Sequence, residues 1–156
     1  PHVTSRDTTA ANFVAEAGLS PLDVDDVVVV IRAFPIRVAG NSGELPFEMD
    51  WDTVTRESGS PVDIIEYTSV TRSIRRVARF SPDVVRGAIA VNNPTRLVLN
   101  HLDYVDYAAG KGNRPTPRVE LFVRQVSSSI GRSIAYFGFG PATIVPSHQA
   151  EMRQLA

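Results

Sequence analysis

The tetrapeptide Asn100-His101-Leu102-Asp103, which follows a short hydrophobic run, carries the most informative chemistry in this sequence. A carboxylate fixed at a strand end can accept two hydrogen bonds at once, from the ring N–H and the exocyclic amine on one edge of guanine. Adenine presents an unprotonated ring nitrogen at the corresponding point, so an Asp103 held there selects guanine. The flat ring of His101 could stack on the base. The same four residues also fit an ordinary strand-end turn with a capping aspartate. A second cluster, Thr68-Ser69-Val70-Thr71-Arg72-Ser73-Ile74-Arg75-Arg76, mixes hydroxyls and guanidiniums within nine residues. Guanidinium forks match carboxylates and phosphates bidentately, which suits a small dianionic substrate. A solvated basic turn is the plain alternative. By the same reasoning Arg32, Arg37 and Arg79 read as surface or ion-pair residues.

Other groups are less specific. Thr4, Ser5, Thr8 and Thr9 make a hydroxyl-rich start to a helix, where side chains and terminal amides could hold a phosphate, although capping alone accounts for two of them. Gly138 and Gly140 allow backbone to approach a ribose or base closely, or simply make a tight turn. His2 and His148 have no visible partners. No residue stands out as a catalytic group, and no metal-ligand pattern is present.

Positioning these residues requires a scaffold, and the hydrophobic pattern describes one. Thr8 and Thr9 cap a helix with Phe13, Val14 and Ala17 at helical spacing, stopped by Gly18. Asp25 to Phe34 is a near-continuous β-branched run, the pattern of a strand covered on both faces. Ala39 to about Pro61 follows no period of 2 or 3.6 and reads as an ordered functional loop with Phe47 and Trp51 as isolated anchors. Ser81-Pro82-Asp83 starts a helix with a capping hydroxyl, and Val84, Val85, Ala88 and Ile89 form its apolar face; Asn92-Asn93-Pro94 ends it. Arg96 to Leu99 is a second strand, which places Asn100 to Asp103 at the edge where a parallel sheet binds ligands. Lys111 to Pro117 reads as a polar turn. Val119, Phe122, Val123, Val126 and Ile130 mark a third helix ending at Gly131. Ile134 to Tyr136 is a third strand, leading into a Gly138-Phe139-Gly140-Pro141 turn at the same sheet end. Alternating strands and helices predict an α/β fold, a mostly parallel sheet with flanking helices.

Composition narrows the class. With 156 residues, of which 43% are hydrophobic and 21% charged, the chain can bury one domain-sized core. Its 16 basic and 17 acidic residues leave a net charge of −1, so no global field draws it to nucleic acid or to a membrane. The absence of cysteine excludes disulfides, thiolate metal sites and a cysteine nucleophile, and fits a reducing compartment such as the cytoplasm. No apolar run is long enough to cross a bilayer. The chain opens on Pro1-His2-Val3 without methionine, as though within a motif, so a longer protein is expected.

Taken in order, Pro1 to Thr9, Ile36 to Gly43 (Ile-Arg-Val-Ala-Gly-Asn-Ser-Gly), Val70 to Arg76, Asn100 to Asp103 and Gly138 to Pro141 resemble adenylosuccinate synthetase. The similarity runs over residues 1–146 as the C-terminal portion of such a domain, with 147–156 as a tail. Its wording is closest to the shorter archaeal and phage branch, including phage enzymes that act on deoxyguanylate. The resemblance implies part of a P-loop-NTPase-like nucleotide ligase fold. It also implies a two-step reaction, in which GTP phosphorylates the 6-oxygen of IMP and the L-aspartate amine displaces that phosphate, with Mg2+ on the nucleotide phosphates. On this resemblance Thr4 touches the IMP phosphate and Val38, next to Arg37, the IMP ribose. Thr71, Arg72 and Arg75 belong to the loop that grips aspartate. Asn100, His101 and Asp103 hold guanine, and Gly138 and Gly140 flank it. A homodimer is implied too.

The sequence departs from the family pattern twice. Arg72-Ser73 stands where Gly-Arg is typical, which displaces or removes one carboxylate-binding guanidinium, and His101 stands where lysine is typical, which removes a permanent charge. The glycine-rich phosphate loop, the aspartate base and the phosphate-polarising histidine of the family belong to an N-terminal half that these residues do not contain, so the chain alone is expected to be inactive. A non-catalytic nucleotide-binding module from the same family is the alternative reading, as is a relative using deoxyguanylate as acceptor or ATP as donor.

Overall fold

The computed structural model describes residues 8–147; Thr4, Ser5, His2 and His148 fall outside them. Its main sheet contains β1 (Val28–Arg32), β5 (Arg96–Asn100), β6 (Tyr136–Phe139) and β7 (Thr143–Pro146), in the order β1-β5-β6-β7. The first three strands run parallel and β7 returns antiparallel to β6. A second, antiparallel sheet has the order β2-β4-β3, from β2 (Ile36–Arg37), β4 (Arg76–Ala78) and β3 (Glu48–Met49). Mixed α/β architecture with a mostly parallel main sheet is therefore as the pattern predicts.

Strand alternation determines which face is packed. Val29 pairs with Leu97, Ile31 with Leu99, Leu99 with Phe137 and Phe137 with Val145, and this row joins the hydrophobic core. The core is completed by α3 (Pro82–Asn92) and α5 (Pro117–Ile130), locked near their starts by an edge-to-face contact of Phe80 with Phe122 at 6.4 Å. The opposite face is open in part: Val28, Val30 and Ile144 are 47%, 58% and 57% exposed, whereas Val98 in the middle of β5 is buried. The expectation that β1 is covered on both faces is thus corrected. It is also shorter than Asp25 to Phe34 and lies at a sheet edge.

The helix stops behave as their chemistry requires. Thr9 caps α1 (Ala10–Glu16) by accepting from Asn12 N–H, and Gly18 follows it at φ 66°. Thr116 caps α5, which ends at left-handed Gly131. At α3 the Pro82 start and left-handed Asn93 stop hold, but Ser81 makes no capping side-chain bond. Three readings need correction. The aperiodic stretch after Ala39 contains β3 and a two-turn helix, α2 (Trp51–Ser58), capped by Asp50 and ended by left-handed Gly59. Trp51 is the buried anchor there, whereas Phe47 is 68% exposed. The polar turn beginning at Lys111 is partly helix, α4 (Tyr107–Gly112), capped by Asp106. The third strand begins at Tyr136, and Gly138 and Phe139 lie in β6, not in the turn to β7.

Candidate nucleotide site

The C-terminal ends of β1, β5 and β6 bring Arg32, Asn100 and Gly138 to one edge of the main sheet. Asn100 Oδ1 accepts from His101 N–H at 2.8 Å, which holds His101 in the left-handed region at φ 59°. A short 3-10 turn, Leu102–Tyr104, follows, pinned by fully buried Leu102. The next strand approaches closely: a Cβ on Gly138 would fall 2.1 Å from Asn100 Oδ1, so only glycine fits beside that side chain. The space left by Gly138 is thus filled by Asn100. Gly140, at φ 69°, turns its N–H onto Asp103 Oδ1 at 2.9 Å. Asn100, His101, Asp103, Gly138 and Gly140 therefore converge.

The electrostatics favour a neutral imidazole at His101. Burial pushes the His101 pKa below its usual value, the positive Arg32 adds to this, and Asp103 and Glu66 oppose it. His101 Nδ1 is buried without a hydrogen-bond partner and lies 4.0 Å from Asp103 Oδ1, beyond bonding distance. Gly140 uses one lone pair of the carboxylate, which keeps further acceptor capacity for a donor-rich ligand edge. His101 lies against Tyr104, with ring centroids 4.9 Å apart. The Tyr104 pKa is raised well above its ordinary value, chiefly by burial and then by the negative Glu66, so the phenol remains a donor. That donor goes to Glu66 Oε1 at 2.9 Å, and the same oxygen is ion-paired with Arg32.

The remaining sequence-predicted residues lie on the side of the second sheet. Glu66 O accepts from Arg75 N–H at 2.8 Å and Tyr67 bridges Ile74, which closes a loop over residues 68–73. Within it Thr68 Oγ1 bonds Thr71 Oγ1 at 2.5 Å and accepts from Ser73 N–H at 3.0 Å. Thr71 and Arg72 are exposed, and Arg75 Nε donates to Tyr67 O at 3.2 Å. Arg72 has φ 55°, so an arginine occupies a backbone conformation that favours glycine. Val38 O accepts from Ser42 Oγ at 2.6 Å within the Gly-Asn-Ser-Gly turn, which Arg76 ties down through Gly43 O and a fork to Glu48.

Arg37 requires a correction to its reading as a surface or ion-pair residue. It is 8% exposed, its guanidinium donates to Ser42 O, and Gly43 packs against it so closely that a Cβ there would lie 2.8 Å from Nη2. Arg32 and Arg79, by contrast, form the expected ion pairs, with Glu66 and Glu57.

Sequence reasoning missed Glu66 and Tyr104, and treated Trp51 only as an anchor. Tyr104 follows Asp103 directly, and an aromatic next to that carboxylate was the available signal. Nothing local marks Glu66. Among the described residues no group of three or more His, Cys, Asp or Glu side chains could hold a metal ion. Among the described residues no helix is long and apolar enough to cross a membrane.

In open α/β sheets the crevice beyond the carboxyl ends of the parallel strands is where ligands generally bind, and that is where these side chains stand. The family model for adenylosuccinate synthetase matches residues 1–110. The adenylosuccinate synthetase of Methanocaldococcus jannaschii is 34% identical over 144 residues, covering 90% of this chain and 40% of that protein. The enzyme of that name from Archaeoglobus fulgidus is 32% identical, covering 90% and 41%. This chain belongs to the adenylosuccinate synthetase family. It spans about 40% of the length of the curated relatives it matches. Among solved structures, the succinoaminodeoxyadenylate synthetase of cyanophage S-2L, bound to dGMP and to dATP as an energy donor, superposes with a TM-score of 0.70 at 29% identity, covering 99% of this chain and 43% of that one. Fully ligated adenylosuccinate synthetase from Plasmodium falciparum, at 16% identity and a TM-score of 0.74, covers 94% of this chain and 46% of its own, and shares the fold.

Proposed function

We propose that residues 1–146 form the C-terminal, nucleotide- and amino-acid-facing portion of a carbon–nitrogen ligase that joins L-aspartate to a 6-oxopurine nucleotide at the expense of GTP. The tail 147–156 lies outside this portion. The observation that carries this reading is the convergence at the sheet edge, where Gly140 N–H holds an Asp103 carboxylate beside neutral His101. Asp103 takes the ring N–H and amine of guanine while His101 offers its face to the base. Thr71, Arg72 and Arg75 face the aspartate carboxylates. Thr4, Arg37 and Val38 serve the monophosphate nucleotide, with Arg37 acting from beneath the 40–43 turn by fixing the backbone around Val38.

Phosphoryl transfer depends mostly on positioning and on oriented charge. This chain positions the base and the amino acid. The phosphate-cradling loop, the general base and the contacts to magnesium come from the rest of the family's length, and without them the chain does not turn over. The complete ligase works as a homodimer in the cytoplasm, on a P-loop-like fold.

A second reading keeps the same site with other nucleotides. The phage relative, similar along 99% of this chain, is bound to dGMP and dATP, which makes deoxyguanylate the competing acceptor and an adenine nucleotide the competing donor. Thermal-shift titration with GDP, ADP, IMP and dGMP, on the unmodified chain and on Asp103→Ala, separates these. GDP-selective stabilisation lost in the variant is the expected result. Stabilisation by ADP that survives the substitution would transfer the donor to adenine, and no response to any of the four would remove the binding reading for the chain alone.

A further inference from the structure

The base end of the sheet and the proposed aspartate loop lie on different elements, yet one side chain touches the anchorage of both. Tyr104 packs against His101 at the base end, with ring centroids 4.9 Å apart. Its hydroxyl donates to Glu66 Oε1 at 2.9 Å. Its ring also meets Trp51 edge-to-face at 6.1 Å, and the Trp51 indole N–H donates to Arg75 O at 2.7 Å. Glu66 and Arg75 are the pair whose backbone bond, Arg75 N–H to Glu66 O at 2.8 Å, closes the 68–73 loop. One phenol thus reaches both members of the closing pair, one directly and the other through an indole. Arg32, at the end of β1, shares the Glu66 oxygen and ties this pair to the main sheet.

We propose that Tyr104 is a positioning residue that couples occupancy of the base site to the ordering of the 68–73 loop. The inference rests on the proposed function of the two regions but assigns Tyr104, Glu66 and Trp51 a part which that reading does not contain. A base stacked on His101 restricts the imidazole, the imidazole restricts the Tyr104 ring, and the ring holds the closing pair. Binding at one end then lowers the ordering cost at the other without any shared ligand contact.

The test is residue-resolved amide hydrogen exchange on the full chain with and without saturating GDP, with GDP affinity measured separately by calorimetry. Three proteins are compared: unmodified, Tyr104→Phe, which deletes only the hydroxyl, and Glu66→Gln, which keeps an acceptor but loses the charge facing Arg32. GDP is expected to slow exchange of the Thr68, Ser73 and Arg75 amides by about fivefold or more in the unmodified chain. In Tyr104→Phe that protection should fall to under about twofold while GDP affinity changes by less than about threefold. Intermediate protection is expected in Glu66→Gln, which also serves if Tyr104→Phe does not fold. GDP binding with equal loop protection in all three proteins would overturn the coupling and leave the base site standing, as would GDP binding with no loop protection in the unmodified chain. A failure of GDP to bind the unmodified chain would overturn the base-site reading and the coupling with it.

Discussion

Gly138→Ala tests the geometry of the sheet edge most directly. The added methyl would fall 2.1 Å from Asn100 Oδ1, 2.8 Å from its Cγ and 3.1 Å from its Cα. The amide can rotate away, but the Cα cannot. Rotation also breaks the 2.8 Å bond that holds the left-handed His101. Overpacking of this kind costs about 1–3 kcal/mol, and loss of the His101 support adds roughly 1 kcal/mol. A total of about 2–4 kcal/mol corresponds to a fall in Tm of roughly 4–16 °C for a chain of this size. Urea unfolding of Gly138→Ala, Asn100→Ala and the double variant measures the coupling between the two positions. Because Asn100→Ala removes the obstructing amide, the double variant should cost at least about 0.5 kcal/mol less than the sum of the singles. Gly87→Ala is the control: it lies within α3 with nothing within 4 Å of its new methyl, and should stabilise by about 0.5–1 kcal/mol. Strict additivity at 100 and 138, or a cost at Gly138 no larger than at Gly87, would refute the argument that Asn100 occupies the place of a side chain on β6.

Other perturbations have equally definite outcomes. Trp51→Phe leaves Arg75 O without its 2.7 Å donor and should cost about 1–3 kcal/mol in denaturant unfolding. Leu99→Ala empties a fully buried position between Ile31 and Phe137, with an expected loss of about 2–5 kcal/mol by the same assay. Arg72→Gly relieves a φ of 55° and should be neutral or stabilising by up to about 1 kcal/mol, the released strain being partly offset by the greater freedom of glycine in the unfolded chain. The His101 pKa is lowered from 6.5 on folding, so its contribution to stability is fully present above pH 6.5 and is lost as pH falls through the lower, folded value. Urea midpoints at pH 7.5 and 5.5 should therefore differ less in His101→Gln than in the unmodified chain.

The parts of the fold legible in the sequence are those whose signals are contiguous. In α5 the apolar spacing from Val119 to Ile130 and Gly131 specify a face and a stop within one window, while the start at Thr116-Pro117 falls inside what reads as a polar turn, so the helix begins two residues earlier than its apolar face suggests. The unbroken run in β5 gives a buried strand. In α2 the buried set is Trp51, Val54 and Ser58. Two turns are too short for a period to stand out, and a serine on the inner face breaks the apolar pattern even though Asp50 and Gly59 cap it plainly. The two-residue strands β2 and β3 exist only through pairing with β4, which no local window contains. The site divides in the same way. Asn100, His101 and Asp103 are neighbours in sequence, so their chemistry can be read together. Glu66 reaches Arg32 and Tyr104 across 34 and 38 positions, and Arg37 is buried because the 40–43 turn folds over it. Neither fact has a local signal.

The partly open face of the main sheet has a colloidal consequence. Val28 and Val30 stand exposed on β1, which is the edge strand of that sheet, with Ile144 on the same face. An apolar edge is normally kept from pairing with its own kind by like charge, proline or a bulge. This chain has an isoelectric point near 6.4 and a net charge of −1, so it carries almost no repulsion of its own near neutral pH. Water on those valines favours contact between copies and does not oppose it, so mildly alkaline buffer, by adding negative charge, is expected to keep the free chain better dispersed.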